Sequence, residues 1–139
     1  MCGIFGIVGG SKNNKSYIEK LSSFANIRGQ DSSGILIYNS NYKVIKADYS
    51  IKKLLKKVNL NKNKLCLGIG RLITNDNSEN QPFFKKGIYI FHNGIVVNDR
   101  QIFEREKVVP TSNLDTEVFY AMASKLEKKE DLVELHNRM

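Results

Sequence analysis

Met1-Cys2-Gly3-Ile4-Phe5-Gly6-Ile7-Val8-Gly9-Gly10 is the stretch whose reading decides the fold. The apolar Ile-Phe-Ile-Val series, broken by glycines, predicts a buried strand that backbone or substrate can approach closely. A cysteine behind the initiator methionine is small enough for that methionine to be removed. Cys2 would then carry a thiol and a free α-amine together. An α-amino group titrates at about 7.7–8.0, so a useful fraction is neutral near pH 7 and can accept the thiol proton. Nucleophile and base would share one residue. The alternative reading is a small buried hydrophobe on an N-terminal strand. A signal peptide competes poorly, because no basic segment precedes a run that is short and glycine-broken.

Working outward, 139 residues suit one domain, spanning residues 1–139. No apolar run approaches the roughly 20 residues that cross a bilayer, so no membrane partner is expected. Cys2 and Cys66 are the two cysteines and form no Cys-x-x-Cys pair, which points away from a disulfide framework or zinc knuckle and toward a reducing cytoplasm. The net charge of +8 raises nucleic acid as a partner. Much of it is local, since Lys43 to Lys64 holds eight lysines against one acid, Asp48. There Ile51, Leu54, Leu55 and Val58 share one helical face and Lys52, Lys53, Lys56 and Lys57 the other. With no arginine or aromatic among residues 51–58 to stack bases, this reads as the solvated side of an amphipathic helix.

Taken in order, Ser11 to Lys15 reads as a polar turn, and Ser16 with Glu19 has capping-box spacing. Tyr17, Leu21, Phe24 and Ala25 set the face of a first helix ending before Arg28-Gly29, and a polar loop runs to Gly34. Ile35 to Asn39 and Tyr42 to Ala47 make a hairpin. Leu65 to Gly70 is a buried strand with Cys66 in the core, delivering Arg71 to its end. Ile88 to Phe91 is a strand ending at His92-Asn93-Gly94. Asn98 can cap a short helix holding Ile102 and Phe103. Asp115 opens a helix with Leu114, Val118, Ala121, Met122 and Lys125 on one side, and a last charged helix follows. The class is α+β with a largely antiparallel sheet.

Several polar groups stand where a rigid scaffold can present them. Arg71 can fork two hydrogen bonds onto a carboxylate. Asp115 can hold an ammonium. Asn93 and Gly94 offer a side-chain NH₂ and a backbone N–H, the donors of an oxyanion hole. Each alone has an ordinary reading as surface ion pair, cap or turn. With only His92 and His136, metal binding is not expected, and no phosphate loop or dinucleotide fingerprint points to a cofactor.

Together, Cys2-Gly3-Ile4-Phe5-Gly6, Arg28-Gly29-Gln30-Asp31-Ser32-Ser33-Gly34, Gly70-Arg71-Leu72-Ile73-Thr74, His92-Asn93-Gly94-Ile95 and Leu114-Asp115-Thr116-Glu117 resemble the glutaminase domain of class II glutamine amidotransferases. The resemblance runs from Cys2 to about Glu117. It implies an N-terminal-nucleophile hydrolase fold, a four-layer sandwich of antiparallel sheets flanked by helices, its second sheet incomplete in this chain. It implies hydrolysis of L-glutamine to glutamate and ammonia, with Cys2 as nucleophile and Asn93 and Gly94 as oxyanion hole. Arg71 would bind the α-carboxylate, Thr74 and Asn75 would line the substrate, Asp115 would bind the α-ammonium, and Arg28 would buttress the nucleophile's loop. Asn80-Gln81-Pro82 leans toward asparagine-synthetase-like members. Ile27, Gln30 and Ile69 stand where the family usually has His, Pro and His. The implied partner is a synthetase or transferase domain or chain that accepts ammonia, with an oligomer as a further possibility. The chain is expected to be a fragment, or a short protein that completes its sheet with a partner. A catalytically inactive glutamine-binding or assembly module of the same fold, and a basic nucleic-acid-binding domain, are the alternative readings.

Overall fold

A computed structural model describes residues 2–9, 14–61, 63–73 and 79–126. The chain divides into two compact units, Met1–Pro82 with Phe91–Gly94, and Phe83–Ile90 with Ile95–Met139. The first unit holds β1 (Gly3–Val8), α1 (Asn14–Arg28), β2 (Ser32–Tyr38), β3 (Tyr42–Ala47), α2 (Ile51–Lys56) and β4 (Leu65–Arg71). Its four strands form one antiparallel sheet in the order β1-β4-β2-β3. In the second unit, β5 (Phe83–Lys85) and β6 (Ile88–Ile90) form a two-stranded antiparallel sheet, followed by α3 (Asp99–Glu106) and α4 (Glu117–Ala123). The architecture is α+β, and the second sheet is as short as the sequence implies.

In the first unit, one sheet face carries Phe5, Ile35, Ile37 and Cys66, which pack against Ile18 and Ala25 of α1 and Ile51, Leu54 and Leu55 of α2. The lysine-faced helix therefore buries the side expected of it. Burial pushes the Cys66 thiol up to about 11, which leaves it an inert core residue.

The first helix is rotated from its expected face. Its buried residues are Asn14, Ile18, Ser22, Ala25 and Asn26, whereas Tyr17 and Phe24 are 55% and 58% exposed. Only small side chains fit where α1 crosses the strand ends. A Cβ on Gly3 would lie 2.5 Å from the Ala25 Cα, and one on Gly70 3.0 Å from the Ala25 carbonyl oxygen. The need for close approach overrides the pull of the larger apolar groups, and Leu21 alone of the bulky set packs against the core. Ser16 lies inside α1 rather than capping it, because the helix begins at Asn14. Ser32, Ser33 and Gly34 belong to β2 rather than to a loop.

Strand β5 was not anticipated. It pairs with β6 through the two-residue turn Lys86-Gly87, both at positive φ, the backbone a tight hairpin needs. Asn98 precedes α3 as expected but makes no side-chain capping bond. Ile102 and Phe103 pack against Val118, Ala121 and Met122, while Phe83, Leu114 and Tyr120 pack with Ile88 and Ile90. Lys125 does not join the apolar side of α4. Its ammonium donates to the Glu106 carbonyl and, at 3.1 Å, to the Glu106 carboxylate. The final charged helix and most of the turn at Ser11 to Lys15 fall outside the described residues.

Glu117, like Glu106, is a buried carboxylate of the second unit. Its carboxylate accepts from the Thr111 backbone N–H and hydroxyl and the Ser112 N–H, each at 2.8 Å, and from Lys85 at 3.0 Å. Burial alone would raise its pKa, but these bonds outweigh burial and hold it below the ordinary 4.5. A carboxyl lowered on folding stabilises the fold fully above its ordinary value, and that contribution is lost as pH falls through the lowered one. Stability of this unit should therefore decline below pH 4.5. Glu117→Gln should cost about 1–3 kcal/mol at neutral pH and flatten the acid dependence. Urea unfolding across that range checks this, and an unchanged acid slope in the variant would assign it to other groups.

Candidate active site

The antiparallel register of β1 and β4 ends at Gly3 opposite Gly70, so the next step brings Cys2 to the position across from Arg71. Cys2 is half-buried, with a free thiol. Its main chain is held on both sides. Its backbone nitrogen donates to Asn93 Oδ1 at 3.1 Å, and its carbonyl accepts from Arg28 Nε at 3.0 Å. Arg28 can reach because it ends α1, the helix drawn down over Gly3. Cys2, Arg28 and Asn93 line a groove of about 370 Å³ together with Gly3, Leu21 and Phe24.

Asn93 turns its Oδ1 toward the Cys2 nitrogen, which leaves the Nδ2 of the same amide as its donor. Gly94 follows directly, with the His92 ring against it.

Arg71 is tied by Nη1 to the Glu79 carbonyl at 2.7 Å and to Asn80 Oδ1 at 3.4 Å. Its Nε is buried without a hydrogen-bond partner among the described residues, a donor suited to an incoming carboxylate. Asp31 frames the same strand end. Its N–H donates to the Arg71 carbonyl at 2.9 Å and its carboxylate accepts from the Ile73 N–H at 2.8 Å.

Thr74 and Asn75 fall outside the described residues. Asp115 belongs to the second unit, where its carboxylate accepts from the Val96 N–H at 2.8 Å. Cys2, Arg28, Arg71, Asn93 and Gly94 all stand in the first unit. Asp31, Asn80, Gln81 and Glu117 carry supporting bonds that the sequence reading left unassigned. Each stood inside a quoted motif, Asp31 in Arg28 to Gly34, Asn80 and Gln81 in Asn80-Gln81-Pro82 and Glu117 in Leu114 to Glu117, but none of those motifs indicated the bonds they make.

A larger groove of about 510 Å³ lies by Lys15, Lys52, Lys56, Glu19, Leu55 and Leu60. Among the described residues its lining holds no cysteine or histidine, and the Ser22 hydroxyl there donates to the Glu19 carbonyl of its own helix at 2.8 Å, so its size does not make it the seat of chemistry. Among the described residues, no group of three or more His, Cys, Asp or Glu side chains is placed to hold a metal ion.

No family model matches the chain. It is similar to amidophosphoribosyltransferase of Pasteurella multocida, 29% identical over 132 residues, covering 85% of this chain and 26% of that protein. The same enzyme of Pseudomonas aeruginosa is 29% identical over 131 residues, again 85% of this chain and 26% of the other. A glutamine–fructose-6-phosphate aminotransferase of Methanococcus maripaludis is 30% identical over 128 residues, 85% of this chain and 21% of that one. This chain thus spans about a quarter of the curated relatives it matches. Among solved structures, the glutamine phosphoribosylpyrophosphate amidotransferase of B. subtilis, complexed with ADP and GMP, superposes with a TM-score of 0.74 at 23% identity, covering 99% of this chain and 33% of its own. These similarities mark the chain as a relative of the class II glutamine amidotransferases, with the fold of a solved glutamine amidotransferase.

Proposed function

We propose that this chain hydrolyses the side-chain amide of L-glutamine through a thioester on Cys2 and supplies the ammonia to a synthetase or transferase domain or chain. The observation that carries the reading is the two-sided hold on the Cys2 main chain by Asn93 and Arg28, one residue beyond the Gly3–Gly70 pair that precedes Arg71. Such a hold fixes the thiol without occupying it, as positioning for attack requires.

With Met1 removed, the Cys2 nitrogen is an α-amine. It donates a hydrogen bond to Asn93 Oδ1, and its lone pair takes the thiol proton. The thiolate attacks the amide carbon, and Asn93 Nδ2 and the Gly94 N–H stabilise the oxyanion. The C–N bond breaks, the amine returns its proton to the departing nitrogen as ammonia, and water cleaves the thioester to glutamate. Arg71 binds the α-carboxylate and Asp115 the α-ammonium, with Thr74 and Asn75 along the substrate. Arg28 holds the nucleophile's strand. No cofactor or metal enters this chemistry, and the setting is cytoplasmic.

The ammonia acceptor is the finer part of the proposal. Asn80-Gln81-Pro82 leans toward asparagine-synthetase-like enzymes, whereas the named relatives are an amidophosphoribosyltransferase and an aminotransferase acting with fructose 6-phosphate.

Ammonia and glutamate release from glutamine tests the reading in two forms of the protein, one beginning at Cys2 and one retaining Met1, distinguished by intact mass. The Cys2 form should release both products in equal amounts, and the Met1 form should be inactive because its nitrogen is an amide. Equal rates in both forms would rule out the α-amine as base.

A further inference from the structure

Arg71 and the His92-Asn93-Gly94 turn come from different stretches of chain, yet both hydrogen-bond to one buried segment. Asn80 and Gln81 are 7% and 4% exposed. Asn80 uses both ends of its amide. Its Oδ1 accepts from the Ser32 hydroxyl at 3.0 Å, the Gln81 N–H at 3.1 Å and Arg71 Nη1 at 3.4 Å. Its Nδ2 donates to the Ala47 carbonyl at 2.9 Å and the Ser33 carbonyl at 3.4 Å. The segment is thereby stitched to β2 and β3. It also lies directly on β2, because a Cβ on Gly34 would sit 1.8 Å from the Gln81 carbonyl oxygen. From this fixed platform Gln81 extends its side chain, and its Oε1 accepts from the His92 N–H at 2.7 Å.

We propose that Gln81 is the positioning residue of the Asn93-Gly94 turn, and that Asn80 does the same for Arg71. One two-residue segment would then set the distance between the oxyanion donors and the carboxylate clamp. The catalytic consequence rests on the glutamine-hydrolysis reading; the hold on the turn does not. His92 precedes Asn93 directly, so a shift of its N–H carries the next amide with it. Misplacement near 1 Å in a positioned group can cost about 10²-fold in rate. The bond is a short neutral one to an interior side chain, so its loss is expected to show as about a tenfold change in local opening.

Gln81→Met keeps length and removes the acceptor, while Gln81→Glu keeps an acceptor oxygen. Amide exchange of the full chain is read at His92, Asn93 and Gly94. In Gln81→Met, exchange at His92 should rise about tenfold with amides of β4 unchanged, and Gln81→Glu should restore much of the protection. For glutamine hydrolysis, Gln81→Met should lower kcat about tenfold with KM within about twofold, while Asn80→Ala should act mainly on KM through Arg71. Unchanged His92 exchange in Gln81→Met would overturn the proposal. Faster exchange with unaltered kcat would overturn its catalytic half. A wild-type chain that releases no ammonia, but whose His92 exchange responds to Gln81→Met, would sink the glutamine reading and leave the positioning role standing. Should Gln81→Met not fold, Gln81→Asn, one methylene too short to reach, carries the same readouts.

Discussion

Cys2→Ala is expected to lower glutamine hydrolysis by on the order of 10⁴-fold or more, the scale on which removal of a covalent nucleophile acts. The fold should survive it. Asn93 and Arg28 grip the main chain of residue 2, not its thiol, so alanine keeps both hydrogen bonds. The side chain is half-buried at the rim of the groove, outside the core that Phe5, Ile18 and Ile35 build. Its loss leaves no large cavity there. Ammonia release and a urea unfolding curve on the same preparation decide the matter. Turnover that persists in Cys2→Ala, with an unfolding midpoint matching wild type, would place the nucleophile elsewhere. Cys66 is a poor substitute, since burial raises its thiol to about 11.

Asn93→Ala is expected to lower kcat by about 10²–10³, the usual cost of deleting an oxyanion donor, with KM for glutamine little changed. The residue does two things at once in this structure. Its Oδ1 holds the Cys2 nitrogen and its Nδ2 remains to donate. Asn93→Asp separates them, because it keeps an acceptor for the amine and loses the donor. If donation dominates, Asp and Ala should be impaired alike. If Asp retains near-normal kcat, the residue serves to orient the α-amine, and the oxyanion assignment passes to Gly94 and other donors. Steady-state kinetics on the two variants and wild type makes the comparison.

Much of the first unit was legible in the residues because local pattern and tertiary demand agree there. The glycine-spaced strand at Cys2, the hairpin from Ile35 to Ala47 and the lysine-faced helix all lie where spacing put them. Helix α1 shows the limit. Tyr17 and Phe24 have the right period, yet the sheet beneath offers glycines and close backbone, so Ser22 and Ala25 take the inner face. Apolar periodicity reports which residues seek burial; it does not report how close the opposing surface comes.

The same distinction runs through the site. Arg71 and Asn93-Gly94 could be marked from residue type and strand ends, because presentation at an element's terminus is a local property. The supports could not. Gln81 reaches His92 across 11 positions, and Asn80 reaches Ser32 across 48. Such bonds exist only once separated segments are stacked, and Asn-Gln-Pro in isolation reads as a turn. Glu117 was visible as part of a motif, but its burial among Thr111, Ser112 and Lys85 depends on the fold of the preceding loop.

The crossing of α1 over Gly3 and Gly70 makes the helix a gauge block for the thiol. Added bulk at Ala25 would lift the strand end, and with it the Cys2 sulfur, before it disturbed the interior farther along the helix. Tolerance to substitution on that helix should therefore be graded along its axis, with turnover failing first at the end nearest Cys2 and folding failing first around Ile18.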